Sequence, residues 1–153
     1  MSGERERALA LATAAVRIGL AALLAYAGAS KLLDPAAFAE DIQNYRALPD
    51  AWAGPLALGL PLLELTVAGG LLTASHGSGA ALISGLLLVA FAAAMAQAKL
   101  RGIDLECGCF GGHSRVSWLK VALNGGFALL SFGVAFAHAV RGRPRWLGSG
   151  VRL

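Results

Sequence analysis

The sequence predicts an all-α integral membrane protein, a bundle of four transmembrane helices with a short interfacial amphipathic helix between the first and the second. Of 153 residues, 57% are hydrophobic and only 14% are charged. The apolar residues lie in four long blocks. A helix of ~20 residues crosses a hydrocarbon core of ~30 Å, so each block is long enough to span a lipid bilayer. We therefore expect one membrane domain that covers residues 1–153.

The predicted transmembrane helices cover residues 8–33, 52–73, 80–98 and 118–140, approximately. The first block contains Ala25-Tyr26-Ala27, which resembles the cleavage site of a signal peptide. However, Arg17 lies in the middle of the apolar run, where a signal peptide disfavours charge. The block is therefore interpreted as a retained first helix.

The segment after the first block has the pattern of a short amphipathic helix, residues 35–48. Asp34 is a good N-cap, and Pro35 suits the first helical position. Apolar residues then recur at helical spacing, at Phe38, Ile42, Tyr45 and Leu48. The segment is too short and too charged to span, so we expect it to lie along the interface and to end at Pro49. It is either an ordinary amphipathic connector or a lid or docking shelf over the loop of residues 99–117.

Small residues are expected to bring the helices together, since lipid gives no hydrophobic reward for helix association. The candidate close contacts are Ala15 with Gly19, and the doublets Gly69-Gly70 and Gly125-Gly126.

The loop of residues 99–117 holds both cysteines, Cys107 and Cys109, with one glycine between them. A disulfide that closes so small a ring needs a tightly folded backbone, which the neighbouring glycines permit. A strained disulfide is easily reduced, so the pair is expected to act as an oxidant rather than as a structural link. The pair is a candidate for redox chemistry or for metal binding.

Several polar residues lie inside or near the ends of the apolar blocks. Arg17 and Glu64 would each be costly in lipid, and we expect them to pair. Lys31 is near the end of the first helix and is expected to extend toward the interface. Gln97 and Asn124 lie near the loop of the cysteines. Together with His113 in the loop, these residues are candidates for a polar pocket beneath that loop.

Three classes of function fit these residues. The first is thiol-disulfide exchange by Cys107 and Cys109. The second is binding or transport of a soft metal ion, with His113 as a further ligand and Glu64 as an aid to transport, although no second Cys or His cluster would pass the ion onward. The third is a membrane scaffold in which the cysteines are merely small buried residues. The redox interpretation is favoured, and no metal site is assigned.

The distribution of basic residues gives only weak evidence for the side of the membrane on which the termini lie. With four spans both termini share one side, and the first connection and the cysteine loop share the other. The basic residues divide equally: Arg5, Arg7, Arg141, Arg143, Arg145 and Arg152 against Lys31, Arg46, Lys99, Arg101, Arg115 and Lys120. The dense cluster at residues 141–145 and an oxidising location for the cysteines favour cytoplasmic termini. Because the basic residues flank apolar blocks, the net charge of +4 indicates anchoring at a membrane surface and not a nucleic-acid partner.

The order of short motifs resembles the MauE/DoxX family of small four-helix membrane proteins. The resemblance covers nearly the whole chain and is carried by Arg17-Ile-Gly19, Ala27 to Leu32, Asp34-Pro35, Leu48-Pro49, Pro61 to Glu64 with Gly69-Gly70, and Cys107 to Gly111. The Cys-Gly-Cys sequence before a fourth helix is the particular mark of the MauE branch. One departure is Leu123-Asn124, where an Arg-Asn pair is expected.

This resemblance implies a protein of the bacterial inner membrane that takes part in methylamine utilisation. Cys107 and Cys109 would be the redox pair, facing the periplasm, and would exchange electrons with a thioredoxin-like periplasmic protein during disulfide formation in methylamine dehydrogenase. By analogy with four-helix disulfide-forming proteins, a membrane quinone near Arg17, Lys31 or Glu64 is a hypothetical electron acceptor. The sequence has no cofactor motif, and the direction of electron flow stays open.

Overall fold

The computed structural model describes residues 2–73, 76–103, 106–107, 114–115 and 117–141 of the chain. Its elements are α1 (Ser2–Leu33), α2 (Pro35–Asn44), a 3₁₀ turn (Asp50–Trp52), α3 (Ala53–Leu72), α4 (Gly77–Leu100), β1 (Glu106–Cys107), β2 (Ser114–Arg115) and α5 (Trp118–Arg141). Four helices within these residues are long and apolar enough to cross a membrane. The predicted all-α class with four spans is confirmed, and the two short strands are an addition to it.

The helix α2 begins as its sequence predicts and ends earlier. Asp34 Oδ1 accepts a hydrogen bond from the backbone N–H of Ala37 at 3.0 Å, and proline occupies the first turn. The expected end at Pro49 is wrong, because Arg46 adopts a positive φ of 48° that a helix does not allow. Pro49 instead precedes the 3₁₀ turn that leads into α3.

The bundle is built mainly from two helix pairs. The most extensive contacts join α1 to α3 and α4 to α5, while α3 also packs on α4, and α1 on α5. Leu24, Leu71 and Leu88 are fully buried where these helices meet. The hydroxyls of Ser84 and Ser131 lie 3.1 Å apart in the interior and connect α4 to α5. The short α2 packs against α3 and lies beside one end of the bundle.

Close helix contacts occur at glycines that differ from most of those expected. A Cβ atom at Gly70 would lie 2.9 Å from Ala80 Cβ, so this part of the prediction is confirmed. At Gly28 it would lie 2.9 Å from the backbone oxygen of Pro61, and at Gly85 it would meet the ring of Phe132. No such neighbour lies within 4 Å at the other expected positions, Gly19, Gly69, Gly125 and Gly126. The helices α1 and α3 therefore approach closely at Gly28.

Candidate functional site

The site begins where α4 ends and the chain turns toward the cysteines. Gly102 has a positive φ of 68°, which glycine adopts without a side-chain clash. The N–H of Ile103 donates to the oxygen of Ala98 at 3.0 Å, and the N–H of Gly102 donates to that of Lys99 at 3.1 Å. These two bonds form the Schellman motif that commonly terminates a helix. The glycine thus ends α4 and redirects the chain.

Cys107 lies in a short antiparallel pair of strands. In the register of β1 and β2, Glu106 is opposite Arg115, and Cys107 is opposite Ser114. Cys109 and His113 fall in residues 108–113, outside the described residues. The predictions of a redox pair and of a metal site at these residues therefore remain predictions.

The turn after α2 is held next to the start of the cysteine connection. Arg101 Nη1, at the end of α4, donates to the backbone oxygen of Arg46 at 3.0 Å. This bond places both connections at one end of the bundle, as four spans require. The term cysteine end is used below for this end.

Toward the cysteine end the bundle contains a buried ion pair between α1 and α3. Lys31 Nζ lies 2.5 Å from Glu64 Oε1, and the two residues are 4% and 0% exposed. The position of Lys31 in the sequence predicted that its side chain extends to the interface. This prediction is wrong, because the side chain is buried and paired with Glu64. Within the described part of the chain, Glu64 Oε2 has no hydrogen-bond partner. Burial of two charges is tolerated because they neutralise each other.

The expected pair of Arg17 and Glu64 is wrong. Arg17 lies toward the opposite end of the bundle, where Nε donates to the oxygen of Leu71 at 2.8 Å and Nη2 donates to that of Thr73 at 2.7 Å. Nη2 also donates to Leu71. These carbonyls lie at the C-terminal end of α3, where no following helical N–H is available to donate a hydrogen bond to them. The guanidinium thus caps α3 and compensates the negative end of its dipole.

Asn124 does not join Lys31 and Glu64 either. Its Nδ2 donates at 3.0 Å to the oxygen of Lys120, one turn earlier in α5. Among the described residues proposed for a polar pocket, Lys31 and Glu64 are bonded to each other, whereas His113 lies outside the described residues.

A largely apolar cavity of about 270 Å³ lies beside this ion pair. It is lined by Lys31 of α1 and by residues of α2, the turn that follows α2, α3 and α4, and among the described lining residues Lys31 is the one that carries a charge. The lining also includes Phe38, Leu48, Ala90, Phe91 and Ala94. Lys31 Nζ lies 5.4 Å from the ring centre of Phe38 and 4.9 Å from that of Phe91.

Sequence reasoning missed the two aromatic neighbours of Lys31. Phe38 was recognised only as the first apolar residue of the α2 stripe, and Phe91 only as part of a transmembrane block. The aromatic rings stabilise the ammonium group through cation–π attraction in a place that excludes water. A lysine near a helix end, followed within seven residues by phenylalanine, was the available signal.

The family profile described as "Methylamine utilisation protein MauE" matches residues 9–137. The chain belongs to the MauE family. It is 40% identical to the methylamine utilization protein MauE of Paracoccus denitrificans over 124 residues, which is 79% of this chain and 67% of that protein. It is also 40% identical to the protein of the same name from Methylorubrum extorquens, over 81% of this chain and 68% of the relative. No solved structure matches the chain.

Membership of the MauE family confirms the resemblance given by the short motifs. The match extends from α1 into α5, so it overlaps all four candidate spans. Together, the family and the helices define a multi-pass membrane protein.

Proposed function

We propose that this MauE-family chain is the membrane component of a thiol-disulfide exchange system in methylamine utilisation, with Cys107 and Cys109 as its redox pair. The position of Cys107 carries the proposal. Its backbone lies in a pair of short antiparallel strands in the connection from α4 to α5, and this connection begins at the end of the bundle where Arg101 bonds the turn after α2. A thiol at such a place is suited to meet a protein partner outside the lipid.

The spacing of the two cysteines supports a reversible disulfide. Two residues of extended chain span at most ~7 Å, so the covalent chain alone keeps the Cα atoms of Cys107 and Cys109 within about the range that disulfides use. The chain has no other cysteine. Any internal disulfide of this protein must therefore join these two.

The exchange would proceed through a mixed disulfide. A thiolate of the partner attacks one sulfur of the Cys107–Cys109 bond, and the other sulfur leaves as a thiolate. The second thiol of the partner then attacks the mixed disulfide. The partner departs oxidised, and Cys107 and Cys109 remain as two thiols that have gained two electrons. A thioredoxin-like periplasmic protein is the proposed partner, and the bacterial inner membrane the proposed location.

Trapping of the mixed disulfide tests the proposal. Cys107→Ser and Cys109→Ser variants, tagged and expressed in the organism that encodes the chain, are isolated after acid quenching and alkylation. One single variant should retain a partner that is released by reductant, and the double variant should retain none. The captured protein is identified by mass spectrometry and should contain a reactive Cys pair.

Two results would contradict the proposal. One is full maturation of methylamine dehydrogenase when both cysteines are alanine, which would indicate a scaffold. The other is a purified chain that holds stoichiometric copper or zinc with both thiols reduced, which would indicate metal handling.

A further inference from the structure

The cavity beside the Lys31–Glu64 pair has no part in the exchange between Cys107, Cys109 and a protein partner. We propose that it binds the ring of a membrane quinone, a flat neutral ring that carries two carbonyl oxygens and an apolar tail. The inference rests on the proposed function, because it supplies the second substrate of the same redox cycle.

The polar anchor of this site is the ammonium group of Lys31. It is 4% exposed, lines the cavity and has three N–H donors, of which one bonds Glu64 Oε1. Within the described residues, the other interactions of the ammonium group are with the two aromatic rings, which separate it from the cavity. A carbonyl oxygen would reach the ammonium after a rotation of the Lys31 side chain or of a ring, and it would then provide an acceptor for a buried donor.

The charge of the site favours a neutral ligand. The carboxylate of Glu64 already balances the ammonium of Lys31, and the part of the lining that the structure describes has no second charged residue. An anionic phosphate would therefore meet no uncompensated positive charge there, and its desolvation would be unfavourable. A carbonyl group needs only a donor.

The shape of the cavity fits a ring with a tail. Its volume of about 270 Å³ is near the lower end of small-molecule sites, and Phe38 and Phe91 provide flat apolar surface next to the anchor. Leu48 and Ala90 belong to the lining and are exposed, so the cavity reaches the outer surface of the bundle. Ala90 lies within a candidate span, where an emerging apolar tail would enter lipid.

A quinone in this cavity would complete the electron balance of the cycle. Oxidation of the Cys107 and Cys109 thiols to a disulfide forms one S–S bond and releases two electrons and two protons. Reduction of one quinone to its quinol consumes the same numbers. The cavity lies toward the cysteine end, since its lining includes Ala94 near the end of α4 and the turn after α2.

Photolabelling tests the site without any measure of activity. The probe is an azido-substituted benzoquinone with a decyl tail, added to the chain in phosphatidylcholine vesicles. Peptide mass spectrometry should find the label on α2 or on the second half of α4, and unlabelled decyl-benzoquinone should compete. Label spread over all lipid-facing helices without competition would overturn the inference, as would cavity labelling by a photoreactive phosphatidylcholine that excess quinone does not displace.

A matched pair of variants locates the binding. Ala94→Phe fills the cavity and should lower competed labelling by about tenfold or more, whereas Ala93→Phe, on an exposed face of the same helix turn, should leave it unchanged. The double variant Lys31→Met and Glu64→Met removes the anchor without leaving a lone buried charge and should weaken labelling by about five- to tenfold. Equal labelling of all these variants would overturn the inference.

The same assay separates this inference from the proposed function. Quinone labelling should persist when Cys107 and Cys109 are both serine, because Lys31, Phe38 and Phe91 are the residues proposed to hold the ring. Loss of labelling at the cavity with partner trapping intact would refute the quinone site alone. Specific labelling together with dispensable cysteines would refute the thiol-disulfide exchange alone.

Discussion

Lys31 on α1 and Glu64 on α3 form a buried ion pair whose Nζ and Oε1 atoms lie 2.5 Å apart. The pair lies next to a close approach of the two helices, at Gly28 and Pro61. Attraction between the charges offsets the cost of removing each from water only while both are present. The pair therefore fixes which faces of α1 and α3 meet.

Removal of either charge alone should be far more harmful than removal of both. Lys31→Met or Glu64→Met should each lower the free energy of unfolding by roughly 3–5 kcal/mol, because one charge then remains buried without its partner. The double variant should recover most of that loss. Unfolding in mixed micelles, followed by tryptophan fluorescence, measures the three values. Additive losses would show that the two residues do not act as a pair.

A loss of the α3 cap should also destabilise the bundle. Arg17→Met leaves the carbonyls of Leu71 and Thr73 without their donor and should lower the free energy of unfolding by about 1.5–3 kcal/mol. Arg7→Met, at an exposed position near the start of the same helix, is the matched control and should change it little. The rate of backbone amide hydrogen exchange in the last turn of α3 should rise in Arg17→Met and not in Arg7→Met. Equal behaviour of the two variants would argue against the cap.

Apolar length was enough to predict the four spans, but it was not enough to predict which charges pair. Counted along the helices, Glu64 lies ~16 Å from the start of α3, whereas Lys31 lies only ~3 Å from the end of α1. If the two helix ends were level, Arg17 would be the nearer partner in depth. Counting residues along the helices therefore predicted Arg17, and not Lys31, as the partner of Glu64.

The structure differs because the two helix ends are not level, as the contact of Gly28 with Glu64 shows, and because side chains do not lie at the level of their own Cα atoms. A helical side chain tilts toward the N-terminus, so Lys31 reaches back over Gly28, three residues earlier on the same face. Gly28 in turn lies against Pro61 and Glu64. The spacing of Gly28 and Lys31 was visible in the sequence, but the neighbouring helix was not. The two aromatic rings at Lys31 come from α2 and α4 and depend on packing in the same way.

A side chain at Gly28 should separate α1 from α3. The added Cβ of Gly28→Ala would lie 2.9 Å from the oxygen of Pro61, which is backbone and cannot rotate away. We expect a loss of about 1–3 kcal/mol in the free energy of unfolding. Gly19→Ala, on the same helix with no such neighbour within 4 Å, should be neutral or slightly stabilising. A similar loss for both would indicate an effect of helix propensity and not of packing.

The orientation of the bundle can be measured at its two ends. Basic residues divide equally between the ends, so the proposed oxidising location of the cysteines supplies the argument for a periplasmic cysteine end. In a chain with both native cysteines changed to serine, Leu48→Cys marks the cysteine end and Gly79→Cys the opposite end, and both positions are exposed. A membrane-impermeant maleimide should label Leu48→Cys in spheroplasts, and it should label Gly79→Cys only in inverted vesicles. In the unsubstituted chain, the reagent should label the native cysteines from the same side of the membrane as Leu48→Cys. Reduction of a disulfide between them should increase this labelling. The reverse pattern would place the thiols in the reducing cytoplasm, where a stable oxidising disulfide is not expected.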